Sequence, residues 1–426
     1  MLYSPYPNPI RKGRTYPAML KEMASTEQFR KARDILSGVL LKTNLIYSGY
    51  FSEACQNTVY FKPENLKVTG AFKVRGAYYK VSTLTAEEKS RGLVAASAGN
   101  HAQGVAFAAK AAGVPATIVM PTTTPLVKVN NTKSYGAGVL LHGSCYDESC
   151  ERALALAAET GMTFIHPFND IDIAIGQGTV AYEIFKDLPD VDVILVPVGG
   201  GGLAAGVSAL AKKLNPNVLV YGVEPRGASC LAASLDEKKV VTLPSAVTIA
   251  DGVAVRSPGD KLFPYLQKNL DGVIQIEDDE LVDAFLDMME KHRLVVENAG
   301  LVTVAALSHL KEKGKNVVSV LSGGNTDVIT IASLVQHGLI NRGRVFTFSV
   351  LLPDRPGELL NVARVVSEQN GNIIKLDHNQ FVSINRQSAV ELVVTLEAFG
   401  HEHKNRIMEA LHAEGFDAKI ARTTAL

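Results

Sequence analysis

From about residue 26 to residue 340 the sequence alternates short apolar runs with amphipathic helical stretches, and that alternation leaves few architectures open. Residues 114–120 (VPATIVM) follow a helical 102–112, and residues 137–141 (AGVLL) follow a helical 128–135. Residues 191–198 (VDVILVPV) precede a helical 203–214, and the runs 218–223 and 317–321 complete the series. Runs that are apolar at nearly every position, not at every second one, predict parallel strands covered on both faces. The expected class is therefore α/β. The pattern changes after Asn341-Arg342-Gly343-Arg344. Strand-like 345–351, helical 358–369, strand-like 372–376 and 388–397, helical 403–413 and strand-like 418–421 spell β-α-β-β-α-β, the ferredoxin-like arrangement. There Pro356 is expected in a first helical turn, Gly371 and Gly415 at left-handed C-caps, and His401 and His403 on a solvated helix start. A domain boundary is expected between residues 340 and 341.

Charge narrows the choice of partners. The 43 Lys+Arg and 43 Asp+Glu cancel, which removes any general attraction to nucleic acid or an anionic membrane. Cys55, Cys145, Cys150 and Cys230 form no CxxC pair and no ligand-like grouping. Reduced thiols, and hence a cytoplasmic chain, are expected. Residues 1–17 lack the apolar stretch of a secretory signal, and no run approaches the ~18–20 residues of a membrane span.

Much of the glycine is clustered where apolar runs end. Gly199, Gly200, Gly201 and Gly202 stand between the run ending at Val198 and the helix beginning near Leu203. Successive small residues let backbone N–H groups converge on an anion with a helix amino terminus behind them, which suits a phosphate monoester. The order is neither GxGxxG nor GxxxxGK[ST]. Ser97-Ala98-Gly99-Asn100-His101 and Ser322-Gly323-Gly324-Asn325 also follow apolar runs, and each is expected to open a helix. In an open α/β sheet such strand ends gather around one ligand. Lys73, in Thr69-Gly70-Ala71-Phe72-Lys73-Val74-Arg75-Gly76, lies in an apolar, glycine-flanked segment. A partly desolvated amine there can act as a Schiff-base nucleophile, although most lysines are solvated on a helix face.

Taken in order, Thr-Gly-Ala-Phe-Lys-x-Arg-Gly, Ser-Ala-Gly-Asn-His, Gly-Gly-Gly-Gly-Leu and Ser-Gly-Gly-Asn resemble the β-family of pyridoxal phosphate enzymes, most closely its threonine ammonia-lyases (threonine deaminases). Residues 345–426, with Leu352-Pro353-Asp354-Arg355-Pro356-Gly357-Glu358-Leu359, resemble an ACT domain. The resemblance implies a two-lobed tryptophan synthase β-like fold over residues 1–340, its small lobe spanning roughly 67–165, and a regulatory module over 341–426. It implies pyridoxal 5'-phosphate held through Lys73, with Phe72, Asn100, the four glycines 199–202, Leu203, Gly252, Ser322 and Gly323 around it. Asn100 would meet the ring oxygen and Ser322 the ring nitrogen. Ser97, Ala98, Gly99, Asn100 and His101 would take the substrate carboxylate.

The implied reaction is β-elimination from L-threonine, giving 2-oxobutanoate and ammonia, with L-serine as a second substrate. Ala98 stands where the serine racemases of the family carry a second serine, so racemisation is disfavoured. Glu224 and Ala228 match two ligands of a cation site in those racemases. The third position is Cys230, and no metal is expected. His101 is expected to serve backbone and shape, not proton transfer. An amino-acid effector such as isoleucine or valine is expected near Leu352, Asp354, Gly357, Glu358, Leu359 and Asn372, in a dimer or tetramer. A serine dehydratase or racemase is the alternative within the family.

Overall fold

A computed structural model describes residues 22–380 and 390–423 and divides the chain into two units, Met1–Thr326 and Asp327–Leu426. In the first unit the strands are β1 (Ile46–Ser48), β2 (Thr58–Pro63), β3 (Leu93–Ala96), β4 (Ala116–Met120), β5 (Gly138–Leu141), β6 (Thr163–Phe164), β7 (Val193–Pro197), β8 (Leu219–Pro225), β9 (Gly272–Ile276) and β10 (Asn316–Leu321). They form two sheets, ordered β1-β2-β10-β7-β8-β9 and β5-β4-β3-β6. Every pairing is parallel except that of the edge strand β1 with β2. Every residue of β3 and of β7 is buried, as strands with helices on both faces require.

The large sheet is covered by helices that approach closely because they meet at glycine. Helices Ile171–Asp187 and Gly202–Leu214 cross at Gly178 and Gly206. A methyl group on Gly206 would lie 1.9 Å from the carbonyl oxygen of Ala174. The second helix carries the four-glycine junction, so this contact sets where that junction sits. The smaller sheet forms its own core with Val105, Ile118, Met120 and Ile165, and helix Asn100–Ala112 packs against it.

The second unit begins with helix Val328–Asn341 and continues β11 (Val345–Leu352), helix Glu358–Glu368, β12 (Asn372–Asn379), β13 (Val390–Glu397), helix His401–Ala413 and β14 (Lys419–Ala421). Its sheet is antiparallel, ordered β12-β13-β11-β14, over a core that includes Phe346, Phe348, Val366, Leu392, Ile407 and Leu411. Residues 388 and 389 of the expected third strand lie outside the described residues, as do residues 1–21.

Several local expectations are corrected. Pro356 precedes the N-cap of its helix, which is Gly357 at φ 99°. Asn370, at φ 61°, takes the left-handed position expected of Gly371, while Gly415 does adopt it at φ 86°. Gly371 is instead crowded by Val366. His403 is buried, its Nε2 2.6 Å from the Gln369 carbonyl oxygen, whereas His401 is exposed. The residues Ser322-Gly323-Gly324-Asn325 do not open a helix. The next helix starts at Val328, where the Asp327 side chain accepts the Ile329 N–H and fixes the N-cap.

Candidate active site

Lys73 is the first residue of helix Lys73–Thr83, not a member of its exposed face. The segment leading into it is stitched to the loop after β10. Ala71 and Gly323 form an antiparallel bridge, the Phe72 N–H donates to Ser322 O at 3.0 Å, and the Gly324 N–H donates to Gly70 O at 2.9 Å. Gly70 needs its glycine: φ is +69°, and a methyl group there would fall 2.3 Å from Asn325 Oδ1. Two residues along the helix, Arg75 is buried and donates from Nε and Nη2 to both oxygens of Glu64, at 2.7 and 2.8 Å. Its Nη2 also lies 2.8 Å from Glu183. The start of this helix is thereby tied to the turn that follows β2 and to helix Ile171–Asp187.

Lys73 faces a cavity of about 770 Å³ between the two sheets. Its Nζ donates to the carbonyl oxygen of Pro167 at 2.7 Å and makes no ion pair among the described residues. Burial pushes its pKa down to about 8, against the opposing pull of the Glu297 charge. The amine is thus partly neutral near neutral pH. The Pro167 carbonyl is aimed by a tight turn in which Nδ1 of His166 accepts the N–H groups of Phe168 and Asn169, at 3.1 and 2.9 Å.

Most of the residues singled out in the sequence line this one cavity: Phe72, Ser97, Ala98, Gly99, Asn100, His101, the glycines 199–202, Leu203, Gly252 and Ser322. Gly323 does not. It sits behind Ser322, paired with Ala71 and pressed against Glu297. In the glycine junction Gly201 is left-handed at φ +89°, and a methyl group on Gly200 would lie 2.3 Å from the Phe168 ring. Among the described residues no side chain caps the helix Gly202–Leu214 that follows, so its first N–H groups are open to an anion. His101 is held neutral: burial pushes it down to about 3, the Lys73 charge adds to this, and its hydrogen bond to Ile165 O opposes both.

Sequence reasoning missed Glu297. It lines the cavity 8 % exposed, and its Oε1 accepts the Asn100 Nδ2–H at 2.7 Å. Burial pushes its pKa up to about 7, Asp251 adds to this, and the Asn100 hydrogen bond opposes it. Nothing in Leu294-Val295-Val296-Glu297-Asn298 distinguishes it from any glutamate that opens a helix. Its position depends on the fold bringing residue 297 beside residues 100 and 323. The rim residues Lys128, Asp147, Asp251 and Arg256 were likewise illegible.

Glu224 stands apart from the cavity, buried, accepting the N–H groups of Leu231 and Ala232 at 2.9 Å each with Cys230 Sγ at 3.8 Å. No group of three or more His, Cys, Asp or Glu among the described residues is arranged to hold a metal ion. Among those residues no helix is long and apolar enough to cross a membrane. In the second unit Leu352 is buried at the end of β11, Asp354 is exposed, and Gly357, Glu358 and Leu359 begin the helix, whose start carries no side-chain cap. Asn372 opens β12, 3.2 Å from Glu397.

Comparison with known proteins gives this geometry a context. The profile of a family described as "Pyridoxal-phosphate dependent enzyme" matches residues 36–323. A Thermotoga maritima protein named L-threonine ammonia-lyase is 42% identical over 399 residues, covering 93% of this chain and all of that protein. Among solved structures, the processed form of threonine deaminase isoform 2 from Solanum lycopersicum superposes with a TM-score of 0.70 at 36% identity, over 74% of this chain and 89% of that one. Maize serine racemase also gives 0.70, at 34% identity, over 75% and 99%.

Proposed function

The chain belongs to the pyridoxal-phosphate dependent enzyme family, and from that premise we propose that it deaminates L-threonine to 2-oxobutanoate and ammonia, and L-serine to pyruvate. The residues present fit the cofactor. The glycine junction packs so closely that a methyl group at Gly200 would strike the Phe168 ring, and it lies in the same cavity as a buried amine that makes no ion pair among the described residues. The N–H groups of residues 199–202 and the amino terminus of the following helix would hold the phosphate. Lys73 would hold the aldehyde carbon, with Asn100 and Ser322 at the ring's oxygen and nitrogen. When bound, the cofactor withdraws electrons from the substrate α-carbon.

The chain's own residues would do the rest. Ser97 and the backbone of residues 99–101 would take the substrate carboxylate at the start of helix Asn100–Ala112. The low pKa of the Lys73 amine, about 8, would suit it to take the α-proton and to return that proton to the departing β-hydroxyl, which would leave as water. Ala98 offers no proton to the opposite face, which favours elimination over racemisation. His101, held neutral and engaged with Ile165, shapes the loop and transfers no proton.

The observation that carries this reading is the meeting of Lys73, the four glycines and the Ser97–His101 loop in one cavity. The match to the Thermotoga relative along its whole length favours threonine as the substrate. For the second unit, taken as an ACT module, the uncapped start of helix Glu358–Glu368 beside Leu352 and Asp354 is the region we assign to an effector carboxylate, isoleucine or valine, in a homo-oligomer. Steady-state 2-oxo-acid formation from threonine and from serine, with and without isoleucine, tests all three claims, with Lys73→Ala as the blank. Turnover of neither amino acid by cofactor-saturated protein would refute the activity. Rates unmoved by isoleucine or valine would refute the regulation.

A further inference from the structure

Glu297 is a carboxyl group buried in the wall of the cavity with no cationic side chain bonded to it among the described residues. Its oxygen accepts from Asn100 Nδ2 at 2.7 Å. The other end of the same amide, Asn100 Oδ1, accepts from Asn325 Nδ2 at 2.8 Å, and Asn325 Nδ2 also donates to Thr69 O at 2.7 Å. The chain Glu297–Asn100–Asn325–Thr69 therefore fixes which way each amide points, because both hydrogens of Asn325 are used and Asn100 must turn its NH₂ toward Glu297. One further hydrogen on Asn100 Nδ2 remains for a ligand. The network also joins three segments that surround Lys73: the start of helix Asn100–Ala112, the loop after β10 and the segment leading into Lys73 itself.

The charges facing Glu297 are few. Lys73 looks at it across the cavity from helix Lys73–Thr83; Asp251 and Lys128 reach toward it from the rim. Asp251 and Lys128 lie 3.5 Å apart and act on Glu297 in opposite directions. Lys73 and Glu297 line the same cavity, and Glu297 is the carboxylate whose charge bears on Lys73. Burial strengthens that interaction relative to water.

From this geometry we propose that Glu297 is a positioning residue: it aims the Asn100 amide at the cofactor ring, and its carboxylate is the counter-charge that keeps the cofactor-bearing nitrogen of Lys73 protonated. The inference rests on the pyridoxal phosphate reading. A protonated nitrogen makes the adjacent carbon the better electrophile for the incoming substrate amine, so the residue serves the step by which substrate replaces Lys73. A glutamate that only braced three loops would move stability and not the protonation of a nitrogen it does not touch.

The test is the visible spectrum of the holoenzyme followed from about pH 6 to about pH 10, in wild type, Glu297→Gln and Glu297→Asp. Glu297→Gln keeps an acceptor for Asn100 and removes the charge. The protonated spectral form is expected to be lost at a pH lower by about one unit or more, the low end of what an opposite charge in close reach produces. Glu297→Asp keeps the charge and is expected to follow the wild type. Should Glu297→Gln fail to fold, Glu297→Ala removes the same charge and gives the same readout. Identical spectra of the wild type and the neutral variant at every pH overturn the inference, as does a Glu297→Asp shift as large as that of Glu297→Gln. A wild-type protein that takes up no cofactor overturns the functional reading, and this inference with it.

Discussion

Glu64→Gln is expected to be among the costliest isosteric changes in the catalytic unit. Glu64, Glu183, Lys62, Lys67 and Arg75 form one cluster: Lys62 and Glu64 lie 3.6 Å apart, Lys62 and Glu183 2.5 Å, Lys67 and Glu183 3.7 Å. The Lys62, Lys67, Arg75 and Glu64 side chains are at most 2% exposed. Three cations thus already face two carboxylates. Neutralising Glu64 leaves three cations against one, with two guanidinium donors facing an amide that can accept only one of them well. Breaking a buried pair in this way costs about 3–5 kcal/mol. Arg75→Met removes a charge from the other side and leaves two against two, so it should cost less despite deleting more hydrogen bonds. Urea unfolding read on the visible absorbance of bound cofactor reports on this unit alone, and a drop of about 1 M or more in the midpoint is expected for Glu64→Gln. Burial works to raise the Glu64 pKa, but Arg75, Lys62 and Lys67 overcome it and hold the carboxyl well below its usual range. A depressed carboxyl contributes stability above the unfolded carboxylate value of about 4.3 and loses it as pH falls below, so the gap between the two proteins should narrow in acid. A Glu64→Gln midpoint within a few tenths of molar of wild type, or a larger loss for Arg75→Met, would refute the charge count.

Two further outcomes follow from the cavity. Gly200→Ala places a methyl group 2.3 Å from the Phe168 ring, and overpacking of about 1–3 kcal/mol should appear as a loss of cofactor affinity of about fivefold or more by equilibrium dialysis; unchanged affinity would contradict the cradle. Because burial lowers Lys73 to about 8, its neutral fraction grows as pH rises through that value, so cofactor capture by apoprotein in stopped flow should accelerate with a midpoint near pH 8; a midpoint at the ordinary lysine value of about 10.4 would show the amine to be solvated.

The parts of this molecule that could be read from its sequence are those governed by local repetition. Fully apolar runs such as residues 193–197 could only be parallel strands sheathed by helices, and the two sheets follow. The glycines at 199–202 declared a close approach because four small residues at a strand–helix junction have few other uses. Long-range contact was not legible. Glu297 acquires its role only because the loop after β10 brings Gly323 and Asn325 against Asn100, and no spacing in the sequence encodes that meeting. The same holds for Asn370, which takes the left-handed turn while its neighbour Gly371 sits against Val366. His403 reads as solvated in a polar stretch and is buried by the Gln369 carbonyl of another helix end.

The central claim is that Lys73 carries the cofactor. Borohydride reduction of the cofactor-saturated protein, followed by peptide mass mapping, tests it directly. One modified peptide is expected, bearing the reduced cofactor on Lys73, and in Lys73→Ala neither that peptide nor threonine turnover is expected. Cofactor trapped on a different lysine, or threonine turnover surviving in Lys73→Ala, would contradict it.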